Sequence, residues 1–326
     1  MPELPDITAW IGALQSRVLG QPLQDVRIAT PFLLRTVTPP PEAALGQTIT
    51  EIRRVGKRIA MGTEQDIWLV LHMMIAGRLH WKPARHPLKG RHNLVGFYFP
   101  NGTLTLTEAG SKRRASLHIL HGEGALSTLD AGGIDVLTAT PEVFRAALTR
   151  ENHTLKRALT DPRICSGIGN AYSDEILHAA QLSPLAHTQK LSGEAWQRFY
   201  QATQATLQYW IDIFRAEAAT KFPEHVTAFR EGMAVHGRHN QPCPRCGAPV
   251  QRIRYADNET NYCAPCQTAG KVLADRGVLP VAWFRLAPDA GRTGSIEITL
   301  TRRGSDTSEF FNRGIAYQYH SALLSS

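Results

Sequence analysis

The chain opens Met1-Pro2-Glu3-Leu4-Pro5-Asp6. Methionine before a residue as small as proline is normally removed, which would leave Pro2 with a free secondary amine. An α-amino group titrates at about 7.7–8, against about 10.4 for lysine, so part of it is neutral and nucleophilic near neutral pH without burial. Such an amine can attack a sugar C1′ and form an iminium, which then acts as an electron sink. Glu3, beside it, is placed to shuttle protons. Alone, these residues read first as a frayed terminus, since most termini carry no chemistry.

The second group is metal-ligating. Cys243 and Cys246 stand in "CPRC", Cys263 and Cys266 in "CAPC", with sixteen residues between the pairs. Each pair offers two thiolates on one tight knuckle, and two knuckles close a tetrahedron around zinc. The intervening "GAPVQRIRYADNETNY" alternates and has a polar tip, as a β-hairpin would. Four thiolates leave no open position, so one structural Zn2+ is expected. Two redox pairs or unrelated thiols are the other reading. Arg238, Arg245, Arg252 and Arg254 flank the cysteines and fit either a solvated basic surface or phosphate contact.

Two weaker signals follow. In "SGIGNAYSDEIL" (166–177), glycines in a turn precede Asn170 and a helical pattern, which would aim backbone N–H groups outward at a helix N-terminus. That is an anion site, and a DNA phosphate is the expected anion. In "RRVGKRIAM" (53–61), Lys57 follows Gly56 in a stretch that reads as strand. Spacing alone does not separate it from a surface lysine.

These groups need elements to hold them. Residues 1–20 carry helical periodicity at Ile7, Trp10, Ile11, Leu14 and Val18, with Pro5 to open the helix and Gly20 to end it. From about 23 to 120 short apolar alternations are cut by turns, among them the hairpin signal "PNGT" at 100–103. This half is expected to be a β-sandwich. Between 141 and 218 four stretches are helical, and "DPRICSGIGN" joins two of them. Cys165, in that connection, reads as a small buried residue. Residues 273–326 show little beyond a strand-like "SIEITL". The expected fold class is therefore α+β and multidomain, with an N-terminal helix plus β-sandwich at 1–135, a helical domain at 141–235, a four-cysteine zinc module at 236–272 and a C-terminal extension at 273–326.

Composition is consistent with this. The 326 residues are 43% hydrophobic, enough to bury cores, and carry 36 basic against 28 acidic side chains for a formal +8. That excess suits a polyanionic partner. The most apolar run, 67–77, is too short to span a bilayer and contains His72. No secretory signal opens the chain. A cytoplasmic monomer, with no membrane partner, is expected.

An amino-terminal "PELP", a Gly56-Lys57 pair, a "GIGN" turn between helices and a late four-cysteine hairpin ending Cys266-Gln267 occur here together and in that order. In this the chain resembles the formamidopyrimidine-DNA glycosylase and endonuclease VIII family of base-excision repair enzymes, over residues 1 to about 270. The resemblance implies that the helical domain is of the helix–two-turn–helix type, with damaged double-stranded DNA in the cleft beside it. It implies that Pro2 attacks C1′ of a flipped-out nucleotide, that Glu3 is its acid/base partner, and that Lys57 contacts the backbone beside the lesion. Schiff-base chemistry would then expel the 3′ and 5′ phosphates. Lys156 and Asn170 match phosphate-holding positions. His72 and Ile75, in "LHMMIAG", match a loop that fills the void left by flipping, with Ile75 as the wedge.

The chain also departs from the pattern. "EAGSKRRASLH" (108–118) supplies Lys112 and Arg113 toward DNA but lacks the phenylalanine of the family's second void-filling loop. Asn258 stands where the zinc hairpin usually has an arginine, and Asp6 stands where a glutamate is usual. Oxidised or ring-opened purines are the expected substrates. The missing phenylalanine keeps oxidised pyrimidines and bulky or crosslinked lesions open, and a damage-binding protein without catalysis is the alternative of another class.

Overall fold

The computed structural model describes residues 1–109, 113–224, 230–255 and 258–274, together with two short strands at 282–285 and 297–300. Helix α1 (Leu4–Val18) begins with Glu3 in extended conformation at its N-cap and Pro5 in its first turn. A proline costs nothing there, because the N–H it lacks has no partner in the first turn of a helix. Asp6 accepts the Glu3 N–H at 2.7 Å, closing the helix start.

Two four-stranded antiparallel sheets follow. One has the order β1 (Asp25–Ile28), β6 (Asn93–Phe99), β7 (Gly102–Glu108), β5 (Gly77–Lys82). The other has the order β2 (Ile49–Val55), β3 (Arg58–Thr63), β4 (Ile67–His72), β8 (Ser116–His121). The "PNGT" turn joins β6 to β7, and Phe99 pairs with Gly102 across it. Strand β4 reads as an unbroken apolar run because both its faces are covered. Ile67, Leu69 and Leu71 enter the core between the sheets. Trp68 and Val70 pack on the other side beneath Leu126 and Leu129, in a 3-10 segment that runs from Glu123 to Leu129.

The helical half contains α2 (Pro141–Thr149), α3 (Leu155–Thr160), α4 (Asn170–Ala179) and α5 (Gly193–Thr220). Ser192 caps α5, its hydroxyl accepting the Ala195 N–H. Thr140 caps α2 in the same way, through the Val143 N–H. Helix α1 belongs to two cores at once. Ile7, Trp10, Leu14 and Val18 face the sandwich, whereas Leu4 and Ala9 enter the helical core with Tyr172, Phe199 and Trp210. That double burial fixes the start of the chain between the sandwich and the helices.

The cysteine module is a hairpin of β9 (Gln251–Tyr255) and β10 (Asn258–Tyr262), followed by a short helix α6 (Ala264–Thr268). Its apolar core is small, built on Val235 and Val250 beside Cys243 and Cys263. So little buried area does not stabilise a fold by itself, which is the usual reason such modules need a metal. Within the extension, β11 (Ala282–Arg285) pairs antiparallel with β12 (Glu297–Leu300), the latter inside the strand-like "SIEITL".

Candidate active site and metal centre

Glu3, at the start of its own helix, reaches the first turn of α4 with its side chain. One carboxylate oxygen accepts the Gly169 N–H at 2.6 Å and the Tyr172 N–H at 3.3 Å; the other accepts the Ala171 N–H at 2.9 Å. The Leu4 N–H donates to the Gly167 carbonyl at 2.9 Å, which docks the first residues on the same turn. The glycine-rich turn does bind an anion, but the expected DNA phosphate is not the group on these N–H donors. The anion is internal, the carboxylate of Glu3, and the helix dipole favours it for the reason it would favour phosphate.

Lys57 does not lie within a strand. Val55 pairs with Arg58, so Gly56 and Lys57 form the two-residue turn of the β2–β3 hairpin, and Gly56 supplies the positive φ of 59° that such a turn demands. This turn aims the lysine at Glu3. A Cβ on Gly169 would lie 2.6 Å from the Glu3 carboxyl and 2.7 Å from Lys57 Nζ, so both groups converge on the one residue that leaves them room. Burial lowers the Lys57 pKa, with Glu3 opposing.

Pro2 is buried. The terminal amine, carried here by Met1, is held below its usual range by burial; Glu3 and Asp6 oppose the shift, and Arg78 and Lys57 add to it. Asp6 is pushed up to about 7, by burial first, with the Glu3 N–H opposing. Its Oδ1 is buried and has no hydrogen-bond partner among the described residues. Asp6 also lines a cavity of about 340 Å³, with Phe214, Glu217, Pro223, Glu224 and Arg230 among the other walls. An amine, two carboxyls and a lysine thus meet in one place, and one of the carboxyls, Asp6, reaches the cavity.

Lys156 and Asn170 lie at the same helix end. Lys156 Nζ is 2.5 Å from Asp174 Oδ1 and donates to the Asn170 carbonyl at 2.7 Å. The Asn170 amide donates to the Glu259 carbonyl of β10 at 2.6 Å. His72 ends β4, and burial pushes it down to about 4, so its ring is neutral near neutral pH. Ile75 is 63% exposed at the tip of the next turn. That turn is tight: the Gly77 N–H donates to the Met73 carbonyl at 2.9 Å, and a Cβ on Gly77 would strike the same oxygen at 2.3 Å. Arg113 is exposed and donates to the Arg91 carbonyl. Lys112 lies outside the described residues. Pro2, Glu3, Lys57, Lys156 and Asn170 therefore gather around one helix end, while Ile75 and Arg113 stand apart on loops.

The cysteine sulfurs all lie within 4.8 Å of one another. Cys246 and Cys263 are 3.4 Å apart, Cys243 and Cys266 4.0 Å. Tetrahedral zinc with Zn–S bonds of about 2.3 Å needs sulfurs about 3.8 Å apart, so the four thiolates fit one structural Zn2+.

Several residues of the site are not evident from the chain alone. Asp174 collects Lys156, His236 Nδ1 at 2.8 Å and the Asn261 N–H at 3.1 Å. Glu175 accepts the N–H groups of Ala234, Val235 and His236. Arg54 donates to Ser166, Asp135 and the Gly56 carbonyl, tying the lysine turn to the glycine turn. Arg230 lies over Phe214 and pairs with Glu217. Each is a common residue type whose partner is far along the chain. Only the place of Asp174 and Glu175 inside the glycine-turn motif offered a signal.

Among the described residues no helix is long and apolar enough to cross a membrane. The profile of the formamidopyrimidine-DNA glycosylase N-terminal domain matches residues 1–114, that of the same enzymes' H2TH domain residues 135–220, and that of a zinc finger found in FPG and IleRS residues 240–269. The formamidopyrimidine-DNA glycosylase of Thermus thermophilus is 31% identical over 281 residues, which are 83% of this chain and all of the relative. That of Heliobacterium modesticaldum is 30% identical over 281 residues, 82% of this chain and all of the relative. An uncharacterized formamidopyrimidine-DNA glycosylase-like protein of Mycobacterium tuberculosis is 38% identical over 144 residues, 44% of this chain and 89% of that protein. Among solved structures, Lactococcus lactis FPG in complex with Fapy-dG-containing DNA superposes with a TM-score of 0.73 at 22% identity, covering 82% of this chain and all of that one. Profiles spanning more than half its length, and relatives matched from end to end, place this chain in the formamidopyrimidine-DNA glycosylase family.

Proposed function

We propose that the protein is a base-excision DNA repair glycosylase with an associated lyase activity, acting on oxidised or ring-opened purines in double-stranded DNA. The observation that carries the reading is the buried Pro2 beside Glu3 and Lys57, next to a cavity with Asp6 in its wall. A base stacked in a duplex cannot present its C1′, so the damaged nucleotide must flip out. Its base enters the Asp6 cavity, and Ile75 fills the gap it leaves. The relatives' printed name, and the solved complexes with Fapy-dG and abasic-site DNA, are consistent with that substrate.

The Pro2 nitrogen attacks C1′ and the base leaves with the glycosidic electrons. The nitrogen loses its proton, its lone pair then expels the ring oxygen O4′, which takes up a proton, and an iminium to C1′ of the opened sugar remains. Glu3 and Lys57 are the nearby groups able to move that proton and to open the sugar ring. The iminium makes the C2′ proton acidic, and β-elimination expels the 3′ phosphate. A second elimination expels the 5′ phosphate and leaves a one-nucleotide gap. Lys57, Lys156 and Asn170 are assigned to the DNA backbone, His72 to the void-filling loop with Ile75, and Lys112 and Arg113 to DNA contact from the second loop. The formal charge of +8 favours that contact. The zinc is structural and takes no part in the chemistry. Activity is assigned to the compartment that holds the chromosome.

The test is borohydride trapping on duplex DNA containing an abasic site, with Pro2→Gly run beside the parent. A covalent adduct in the parent, lost in the variant, is the expected result. No adduct despite tight DNA binding would leave a damage-binding protein and overturn the lyase reading.

A further inference from the structure

Helix α4 touches the metal centre through a residue that is not a ligand. His178 sits in its last turn, 5% exposed, with Nε2 3.2 Å from Cys243 Sγ. Cys243 is itself buried. A zinc-bound thiolate has no proton to give and can only accept. An unprotonated Nε2 at this distance would set its lone pair against a negatively charged sulfur. A neutral imidazole carries one N–H, on either nitrogen, and its partner decides which.

We propose that His178 is a positioning residue of the zinc centre, its Nε2–H donating a hydrogen bond to the Cys243 thiolate and joining the metal to the helix that holds Glu3. The N–H draws charge from the sulfur, which makes the thiolate a poorer nucleophile and a poorer site for protonation. Both effects slow loss of the metal. Partners outside the ligand set commonly matter to a zinc site in this way.

The geometry also gives the contact a consequence at a distance. The first turn of α4 binds Glu3 through Gly169, Ala171 and Tyr172, and the last turn reaches Cys243. Between them Asp174 and Glu175 accept N–H groups from the hairpin and from the segment leading into it. Gln267, next to Cys266, accepts the Cys263 N–H and donates to the Leu182 carbonyl just past the helix. The zinc module is therefore fastened to one helix along its length, and His178 is the fastening at the metal itself.

The test uses the full-length protein with its metal, and cadmium-113 in place of zinc for spectroscopy. In histidine-15N-labelled protein the expected tautomer of His178 is Nε2–H, with a scalar coupling between that proton and the cadmium across the hydrogen bond. His178→Phe keeps bulk and removes the donor; it should move the cadmium resonance and speed zinc transfer to a chelator by about 10-fold or more. His178→Gln restores an N–H donor and should return the rate toward that of the parent. An Nδ1–H tautomer in the parent, or unchanged zinc transfer in the Phe variant, would overturn the proposal while leaving the zinc site intact. A parent that binds no stoichiometric zinc would overturn both. The spectroscopic arm needs no variant, so a misfolded Phe variant would not shield the idea.

Discussion

The carboxylate of Glu3 accepts a hydrogen bond from the backbone N–H of Gly169 at 2.6 Å, across 166 positions of sequence. Glu3 starts the helix packed on the sandwich, and Gly169 starts the helix at the heart of the other core. The carboxylate thus closes two helix starts on each other and sits beside the terminal amine. Gly169 has φ of −132°, which any residue can adopt, so its lack of a side chain matters only for space. Gly169→Ala would drive a methyl group into the Glu3 carboxyl and Lys57 Nζ. We expect glycosylase and borohydride-trapping rates to fall by about 100-fold or more, since small misplacements of reacting groups cost that much. Zinc content should be unchanged. A variant with parental kinetics would show that the Glu3 position is not what the site depends on.

Lys156 is held by a buried carboxylate, and this separates two roles that the family resemblance merges. Asp174 is buried, and the Lys156 side chain is 12% exposed. Removing the lysine leaves the buried Asp174 carboxylate to His236 and the Asn261 N–H, so the cost approaches but does not exceed the about 3–5 kcal/mol of a fully stranded charge. Lys156→Ala should therefore lower both stability and DNA affinity, as read by chemical denaturation and by binding to an uncleavable abasic analogue. Lys156→Ala combined with Asp174→Asn should recover part of the stability but none of the affinity. Full recovery of both would remove Lys156 from the DNA contact.

Asp6 should make the fold less stable as pH rises. Its pKa in the folded protein is about 7, raised by burial from an ordinary value of 3.8. Between these values the folded chain holds a proton that the unfolded chain has released, so stability falls with rising pH through that window and levels off above about 7. Asp6→Asn keeps an oxygen to accept the Glu3 N–H but cannot ionise. The difference in Tm between parent and variant, followed from about pH 5.5 to 8, should shift toward the parent at the acid end and toward the variant at the alkaline end. A constant difference would mean that Asp6 stays ionised throughout.

Much of this site was legible in the chain, and the reason it was legible is local. Pro2, Glu3 and the cysteine pairs stand at places the chain itself marks, a terminus and two tight knuckles, although what holds Glu3 lies far along the chain. Helix α1 and the "PNGT" hairpin follow from periodicity and turn geometry in the same way. What escaped depends on partners far along the chain. The "GIGN" turn does bind an anion, but nothing in its sequence says that the anion is Glu3. The alternation around Lys57 hides a two-residue turn, because a hairpin that tight leaves the pattern almost intact. Asp174 and His178 look like ordinary helix residues until Lys156 and Cys243 are beside them.

The missing hairpin arginine has a structural counterpart on the neighbouring strand. Asn258 stands at the start of β10, where it pairs with Tyr255. Arg252 and Arg254 lie on β9, paired with Asn261 and Glu259, and both guanidinium groups lean on the Glu259 carboxylate at 3.6 and 3.4 Å. The Glu259 carbonyl in turn receives the Asn170 amide, which sets this edge of the hairpin against the proposed DNA-facing end of α4. Ion pairs as long as these, at partly solvated positions, contribute little to stability. A phosphate can therefore compete for either arginine at small cost. Arg254, the more exposed of the two at 60%, is the better placed. Arg254→Ala should weaken DNA binding about equally for damaged and undamaged duplexes, and should reduce the slope of log K against log salt by about 1. Glu259→Gln should strengthen binding by removing the negative charge beside both arginines while leaving zinc content alone. An unchanged salt slope in Arg254→Ala would move the lost contact off this strand.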